Sequence, residues 1–479
     1  MRKVNKINIP SLDKARLRNK DSLTFVYSSE IDEKLKSRFE NKKFFIKTYG
    51  CQANIRDEEI MSGILASLGM ERTEDKNLAT IAILNTCAVR ENAEDKVYGE
   101  IGEFKALKNK NKDLILCICG CMIEQNHIID FILSTYPFVD IMFGTHNIQD
   151  LAILLKEYLK KNEIIIDVES KVGDIYEELP SKRNSTFKAF VNISYGCNKF
   201  CTYCIVPYTR GKERSRKMED ILKECKELVD ANYQEITLLG QNVDSYGNDL
   251  NDGSTFAKLL EEVAKLGIPR LRFLTSYPSD FKDDVIDVMK KYPNIMKYLH
   301  LPIQSGSDEV LKMMGRRYDS KQYLELVNRI KTKIPEMAFS TDIIVGFPNE
   351  TYEQFLDTIK VSNIVEYTSA FTFIYSPRKG TPAARLKDNV TYEEKVKRFK
   401  ELVKALEVSF EKKANEMVGK TYSCLVEGPS KKNSDILSGY TENMKTVLFK
   451  GDNCLIGKIV KVKILESHLY SLVGEIVYE

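Results

Sequence analysis

Cys197, Cys201 and Cys204 stand together in "YGCNKFCTYCIVPYTRG" with the spacing C-x3-C-x2-C. Thiolates grouped this tightly suit a metal centre. Zinc and iron–sulfur sites usually take four ligands, and no fourth cysteine lies close by. A [4Fe–4S] cluster needs one ligand per iron, so three thiolates leave one iron open. A catalytic metal keeps such a position for its substrate. A zinc knuckle is the alternative, and it lacks its fourth ligand here.

A second triad is less obvious. Cys51 follows "FFIKTYG", Cys87 follows "IAILNT" and Cys121 follows "LILCICG". The intervals are 36 and 34 residues, about one strand–helix unit each. Three consecutive parallel strands would each carry a cysteine at or just past the carboxyl end. Neighbouring strands lie about 4.8 Å apart, so the tips converge. The alternative is three unrelated loop cysteines, which the equal phasing disfavours. Cys117 and Cys119, inside the apolar "LILCICG", read as small buried hydrophobes, and the isolated Cys225, Cys424 and Cys454 as structural.

These residues need elements to hold them. With 479 residues, about three domains are expected. A hydrophobic content of 43% is enough for several cores. The odd count of 11 cysteines and the absence of an apolar run after "MRKVNKINIP" argue against a disulfide framework and a secretory signal. No run is long enough for a membrane helix, so the cytoplasm is the expected compartment. A formal net charge of +3 leaves nucleic-acid contact to local patches.

Residues 1–41 are polar without a clear period and predict a flexible N-terminal extension. From 42 to 160, apolar strands alternate with amphipathic helices, which predicts an α/β domain with a doubly wound parallel sheet. Residues 161–182 read as a linker. Over 183–414, "FKAFVNIS", "EITLLGQN", "LRFLTSYP", "YLHLPIQS", "AFSTDIIVGFP" and "SAFTFIYSP" are six strands with helices between them. They predict a (β/α)6 partial TIM barrel with its chemistry at the carboxyl ends of the strands. Alternating strands such as "KIVKVKI" predict a small β-barrel over 417–479.

A C-x3-C-x2-C motif at the end of the first strand of a six-unit barrel resembles the radical S-adenosylmethionine superfamily. With the second triad, the chain resembles the methylthiotransferases over nearly all its length past residue 42. The resemblance rests on "TYGCQANIRDEE", "NTCAVRENAEDKVYG", "CGCM", "CNKFCTYCIVPYTRGKERSR", "LLGQNVDSYG", "LPIQSGSDEVLKMMGRRY", "TDIIVGFPNET" and "YSPRKGTPA". The C-terminal segment resembles a TRAM RNA-binding domain. "TYGCQ", "NTCAVRENA" and "VPYTRGKERSR" favour the branch acting on isopentenyl-adenosine in tRNA, with Ala53 and Lys212 as conservative departures. The branch acting on threonylcarbamoyl-adenosine, the one acting on an aspartate of a ribosomal protein, and a non-catalytic iron–sulfur RNA-binding or electron-transfer protein are the alternatives. An electron carrier would close its clusters with four cysteines.

The resemblance implies two [4Fe–4S] clusters and S-adenosyl-L-methionine. The cluster on Cys197, Cys201 and Cys204 cleaves the cofactor to a deoxyadenosyl radical. The auxiliary cluster on Cys51, Cys87 and Cys121 delivers a methylated sulfur to carbon-2 of the adenine 3′ of the anticodon. It also implies tRNA as partner, an electron donor such as flavodoxin or ferredoxin, and a monomer. No catalytic residue is expected beyond the cluster ligands. Gln241, Asn242, Gln304 and Asp342 are candidates for holding the cofactor, with a structural role as the alternative. Segment 181–217 has nine Lys or Arg against one acid, and Arg210, Lys212, Arg214 and Arg216 follow the cysteines. They predict RNA phosphate contacts, with a solvated basic loop as the alternative. Tyr195, Phe200 and Tyr203 are expected to shield the cluster. In the last domain, where Lys and Arg number eight against seven acids, Phe449 with Lys445 and Lys450 is an RNA candidate, and core packing its alternative.

Overall fold

β-Branched and aromatic runs become strands whose alternate residues enter opposite cores. The computed structural model describes residues 2–11, 22–27, 32–88, 91–169 and 173–478. In its first unit seven parallel strands run in the order Val4–Asn8, Ile164–Asp167, Ile141–Phe143, Ile115–Gly120, Ile81–Thr86, Lys43–Thr48, Glu71–Arg72. Phe44, Ile83, Cys117 and Phe143 face one way, against helices Gln52–Ser67 and Leu151–Lys161. Phe45, Leu84, Leu116 and Met142 face the other, against Glu91–Lys110 and Asn126–Thr135. Helices therefore cover both faces, as the unbroken apolar strands require. Cys117 and Cys119 are wholly buried in this sheet, and burial pushes both thiols up.

Two expectations are corrected. Residues 1–41 are not simply an extension. Val4–Asn8 pairs in parallel with Ile164–Asp167, Thr24–Val26 pairs with Ile175–Glu177, and Glu33–Phe39 is a helix capped by the Asp32 carboxylate. The presumed linker 161–182 supplies both partner strands. These strands are three to five residues long and largely exposed on the N-terminal side, so their patterns are too short for periodicity to register. The expectation for residues 12–21 and 28–31 lies outside the described residues.

In the second unit, Lys188–Asn192, Glu235–Leu239 and Arg270–Phe273 form one parallel group, and Tyr298–His300, Ala338–Val345 and Ser369–Ile374 another. All six predicted barrel strands are present. The helix Tyr392–Asn415 leads to a closed five-strand barrel. This barrel shares the unit with the six strands, because Arg270 donates to the carbonyls of Tyr440 and Thr441 at 2.8 and 3.0 Å, and Lys188 pairs with Glu427. The chain changes unit within the cysteine loop. Tyr195–Phe200 and Cys204–Arg216 belong with the first unit, and Cys201–Tyr203 with the second. Among the described residues no helix is long and apolar enough to cross a membrane.

Candidate functional site

Three neighbouring strand tips carry the first triad. Cys87 and Cys121 each follow a strand, and the last rung between those strands is Thr86 opposite Gly120. The Cys121 amide donates to the Thr86 carbonyl at 3.0 Å. Cys51 caps the helix Gln52–Ser67, so its thiol sits where helix amides and dipole favour negative charge. Gly50, at φ +146°, lets the turn come within 2.9 Å of the Cys87 Cβ, measured from where its own Cβ would stand.

Asn54 and Asn85 tie the tips together. Asn54 Nδ2 donates to Asn85 Oδ1 and the Thr86 carbonyl at 3.3 and 3.1 Å, and Asn85 Nδ2 donates to the Asn54 carbonyl at 2.8 Å. The Cys51 thiol donates to Asn54 Oδ1 at 3.4 Å. Sequence reasoning missed both asparagines; "CQAN" and "LNTC" set them three residues after and two before a cysteine, which is the only signal.

Burial pushes the Cys121 thiol up to about 12; the Arg210 guanidinium opposes this, and Cys87 and Cys51 add to it. The three thiols are thus electrostatic neighbours. They are not yet a ligand set: among the described residues no three His, Cys, Asp or Glu side chains are arranged to hold a metal ion. Arg210 is itself buried and donates to Asp57 Oδ2 at 2.7 Å. Thiols clustered beside a buried cation fit an iron–sulfur group, whose irons favour the thiolate.

The second triad splits between the units. In the first, the Cys197 amide donates to the Gly211 carbonyl at 3.2 Å, and its Sγ accepts from the Lys199 amide at 3.5 Å. Ile205, next after Cys204, shares a buried cluster with Tyr208, Ala88 and Cys121. In the second unit, Thr202 is bound to the Met313 and Met314 carbonyls at 2.8 and 2.9 Å. Arg316 Nη1 donates to Cys201 Sγ at 3.5 Å, while its guanidinium lies over Tyr277 and Tyr318 at 4.4 and 5.2 Å. A buried cation against a cluster-type cysteine is a second residue that the sequence did not single out.

The cofactor candidates all lie in the second unit. Asn242 is buried; its Nδ2 donates to Asp280 Oδ2 at 2.6 Å, and its Oδ1 has no partner among the described residues. An orphan acceptor there suits an ammonium donor such as the amino group of S-adenosylmethionine. Gln304 holds a left-handed φ of +70° and bridges the fourth and fifth strands, its amide donating to the Asp342 carbonyl at 2.9 Å. Asp342 Oδ1 stands 3.6 Å from His300 Nε2. Gln241 is half-buried beside Asn242 in the sequence.

The basic segment expected to contact RNA is largely engaged within the protein. Arg210, Arg214 and Arg216 are buried. Arg210 serves Asp57, Arg216 Nε donates to Glu177 at 2.8 Å, and Arg214 donates to the Arg210 and Lys212 carbonyls at 2.9 and 3.1 Å and covers Tyr195. Lys212 is half-buried beside them. Close spacing of like charges looks like a solvated patch in sequence; here remote acids and carbonyls absorb the charge. Phe200 is 39% exposed and meets the Tyr208 ring edge-on at 6.0 Å, whereas Tyr203 packs beside Phe347 and Tyr375. Phe449 is core, inside the C-terminal barrel.

Residues 191–361 match the radical SAM superfamily, 43–144 the uncharacterized protein family UPF0004, and 415–477 the TRAM domain. Among solved structures, the radical S-adenosylmethionine methyltransferase TsrM from Kitasatospora setae, with cobalamin and a [4Fe–4S] cluster bound, aligns with a TM-score of 0.52 at 13% identity, covering 72% of this chain and 77% of that one. That likeness concerns the fold alone. The domain matches define a radical S-adenosylmethionine enzyme, a class that works with a [4Fe–4S] cluster and S-adenosylmethionine. The tRNA-2-methylthio-N(6)-dimethylallyladenosine synthase of Bacillus subtilis (strain 168) is 52% identical over 471 residues, 98% of this chain and 92% of that protein. The protein of that name from Geobacillus kaustophilus (strain HTA426) is 50% identical over 98% of this chain and 89% of its own length. The chain belongs to this family of tRNA methylthiotransferases.

Proposed function

We propose that this chain methylthiolates carbon-2 of isopentenyl-adenosine next to the anticodon of tRNA, in the cytoplasm and as a monomer, with electrons from a flavodoxin or ferredoxin. Cys197, Cys201 and Cys204 hold the radical cluster, and Cys51, Cys87 and Cys121 an auxiliary one. When bound, these groups supply one-electron cleavage of S-adenosylmethionine and a transferable sulfur. The observation that carries the reading is the placement of Cys87 and Cys121 directly after two adjacent strands whose last rung pairs Thr86 with Gly120, with Cys51 at the start of the neighbouring helix, and the packing of Ile205, one residue beyond Cys204, against Cys121.

The chain's own residues then have definable tasks. Asn54 and Asn85 hold the three tips. Arg210 offsets the negative charge gathering at Cys51 and Cys121. Arg316 does the same at Cys201. Asn242 Oδ1 accepts from the cofactor's amino group, and Gln241, Gln304 and Asp342 orient it. The adenine C–H is too strong and too weakly acidic for side-chain proton transfer, so no residue need act as its base. An anticodon loop is single-stranded, which makes presenting one base inexpensive.

Nucleoside mass spectrometry of tRNA from a deletion strain complemented with this chain tests the reading. Wild type should restore the methylthio-isopentenyl nucleoside. Cys51→Ala and Cys197→Ala should both fail, and only Cys197→Ala should also abolish 5′-deoxyadenosine formation in vitro. If Cys51→Ala still makes the methylthio product, the auxiliary site is wrong.

A further inference from the structure

The reaction leaves unused a cleft of about 700 Å³ at the opposite end of the six-strand barrel. Its walls include Arg270, Lys297, Ala338 and Thr368, at or just before the amino ends of four strands, and residues of the C-terminal barrel. Seven lining residues are Lys or Arg and four are Glu, so the cleft is cationic. Two of the glutamates are already occupied: Glu366 and Glu416 pair with Lys413 at 3.1 and 3.0 Å.

Lys445 is the unusual member. The residue is 7% exposed. Its amide donates to Thr441 Oγ1 at 3.1 Å, which fixes the hairpin. Its ammonium has neither a hydrogen bond nor an ion pair among the described residues, and its nearest described partner is the Phe410 ring, 5.9 Å to the centroid. Burial holds it below the ordinary lysine value, and among the described residues no charge offsets that effect. Among the described residues Lys297 and Lys331 each donate to a single carbonyl, of Met289 and Val365, both at 2.7 Å, and burial depresses both. Burying an unpaired ammonium is costly, and a bound anion would relieve the cost. Lysines act as point charges and suit a doubly charged tetrahedral oxyanion better than a planar carboxylate. Glu442, whose Oε2 is buried without a partner among the described residues, and Glu336, which acts on Lys297, are the acids that oppose such an anion.

We propose that this cleft binds a phosphate group, anchored by Lys445 with Lys297 and Lys331 in its wall. The group comes either from the backbone of a bound RNA or from a free phosphate monoester. The site stands on binding alone and does not depend on the methylthiolation reading.

The test is calorimetric titration of the full chain with inorganic phosphate and with 5′-AMP, and a filter-binding titration with a tRNA transcript at several salt concentrations. The variants are Lys445→Met, Glu442→Gln and the double change Lys297→Gln with Lys331→Gln, each checked for native circular dichroism. Loss of one charge-assisted contact should weaken binding about tenfold in Lys445→Met, and Glu442→Gln should tighten it. A free monoester is the source if phosphate and 5′-AMP respond and the tRNA does not. The RNA backbone is the source if tRNA affinity falls and its salt slope drops by about one. Should Lys445→Met fail to fold, the double variant carries the same expectation. The proposal is overturned if folded variants bind phosphate, 5′-AMP and tRNA within twofold of wild type, or if wild type binds none of the three.

Discussion

Arg316 and Glu124 show how single buried charges act here. Arg316 is held by the Pro302 carbonyl and by Tyr318 at 2.9 Å each, and points Nη1 at Cys201. Were Cys201 to hold the proposed radical cluster, a fixed cation there would stabilise its more negative, reduced state. At an effective dielectric of about 20, a unit charge several ångströms away is worth a few kcal/mol, or on the order of 100 mV for one electron. Arg316→Met should shift the reduction potential of the reconstituted cluster to more negative values by that order, read by an EPR-monitored titration; an unchanged potential would show the charge is screened. Glu124 accepts from the Thr145 amide and hydroxyl at 2.7 and 3.1 Å, yet burial pushes it up to about 8. The folded state therefore holds a proton that the unfolded chain releases near pH 4.5. Stability should fall as pH rises from about 4.5 to 8, by at most about 1.4 kcal/mol per unit. Urea midpoints of Glu124→Gln should lose this slope and exceed wild type at pH 9.

At the scale of elements, strand tips do the positioning. Gly120 ends its strand at φ +95°, and a Cβ there would meet the Thr86 carbonyl at 2.3 Å. Gly120→Ala should therefore cost about 2 kcal/mol or more from strain and displace Cys121. Iron bound per chain after reconstitution should fall by about half, with 5′-deoxyadenosine formation retained. Full iron loading would mean the tip tolerates the change. The three cysteine positions on these strands were legible because each follows an unmistakable apolar run. The Asn54–Asn85 clamp was not, since a single Asn near a turn is ordinary. The edge strand Val4–Asn8 escaped for a related reason: five half-polar residues have no periodic signal until Ile164–Asp167 is beside them.

For the whole molecule, Arg270 joins the third barrel strand to the C-terminal barrel. It donates to two of that barrel's carbonyls and stands 3.1 Å from Glu235. Arg270→Met would leave the buried Glu235 with the more distant Arg272, 3.6 Å away, in place of its closer cation, at a cost of up to about 3 kcal/mol. Limited proteolysis should then release the 417–479 fragment faster than from wild type. An equal rate would show that Ala414 and Met417, packed into the barrel core, suffice to hold it.

What the amino-acid order decided alone was local or periodic: which runs are strands, which face of each is apolar, and where cysteines recur relative to strand ends. Those properties depend on neighbours a few residues away, so one sequence carries them. The fate of charge needed tertiary structure. Arg210, Arg214 and Arg216 look like a basic patch until Asp57, Glu177 and nearby carbonyls are brought to them. Lys445 looks like an exposed RNA-binding lysine until the fold buries it with no ion-pair partner among the described residues. Electrostatic pairing joins residues far apart in the chain, and only the folded backbone sets those distances.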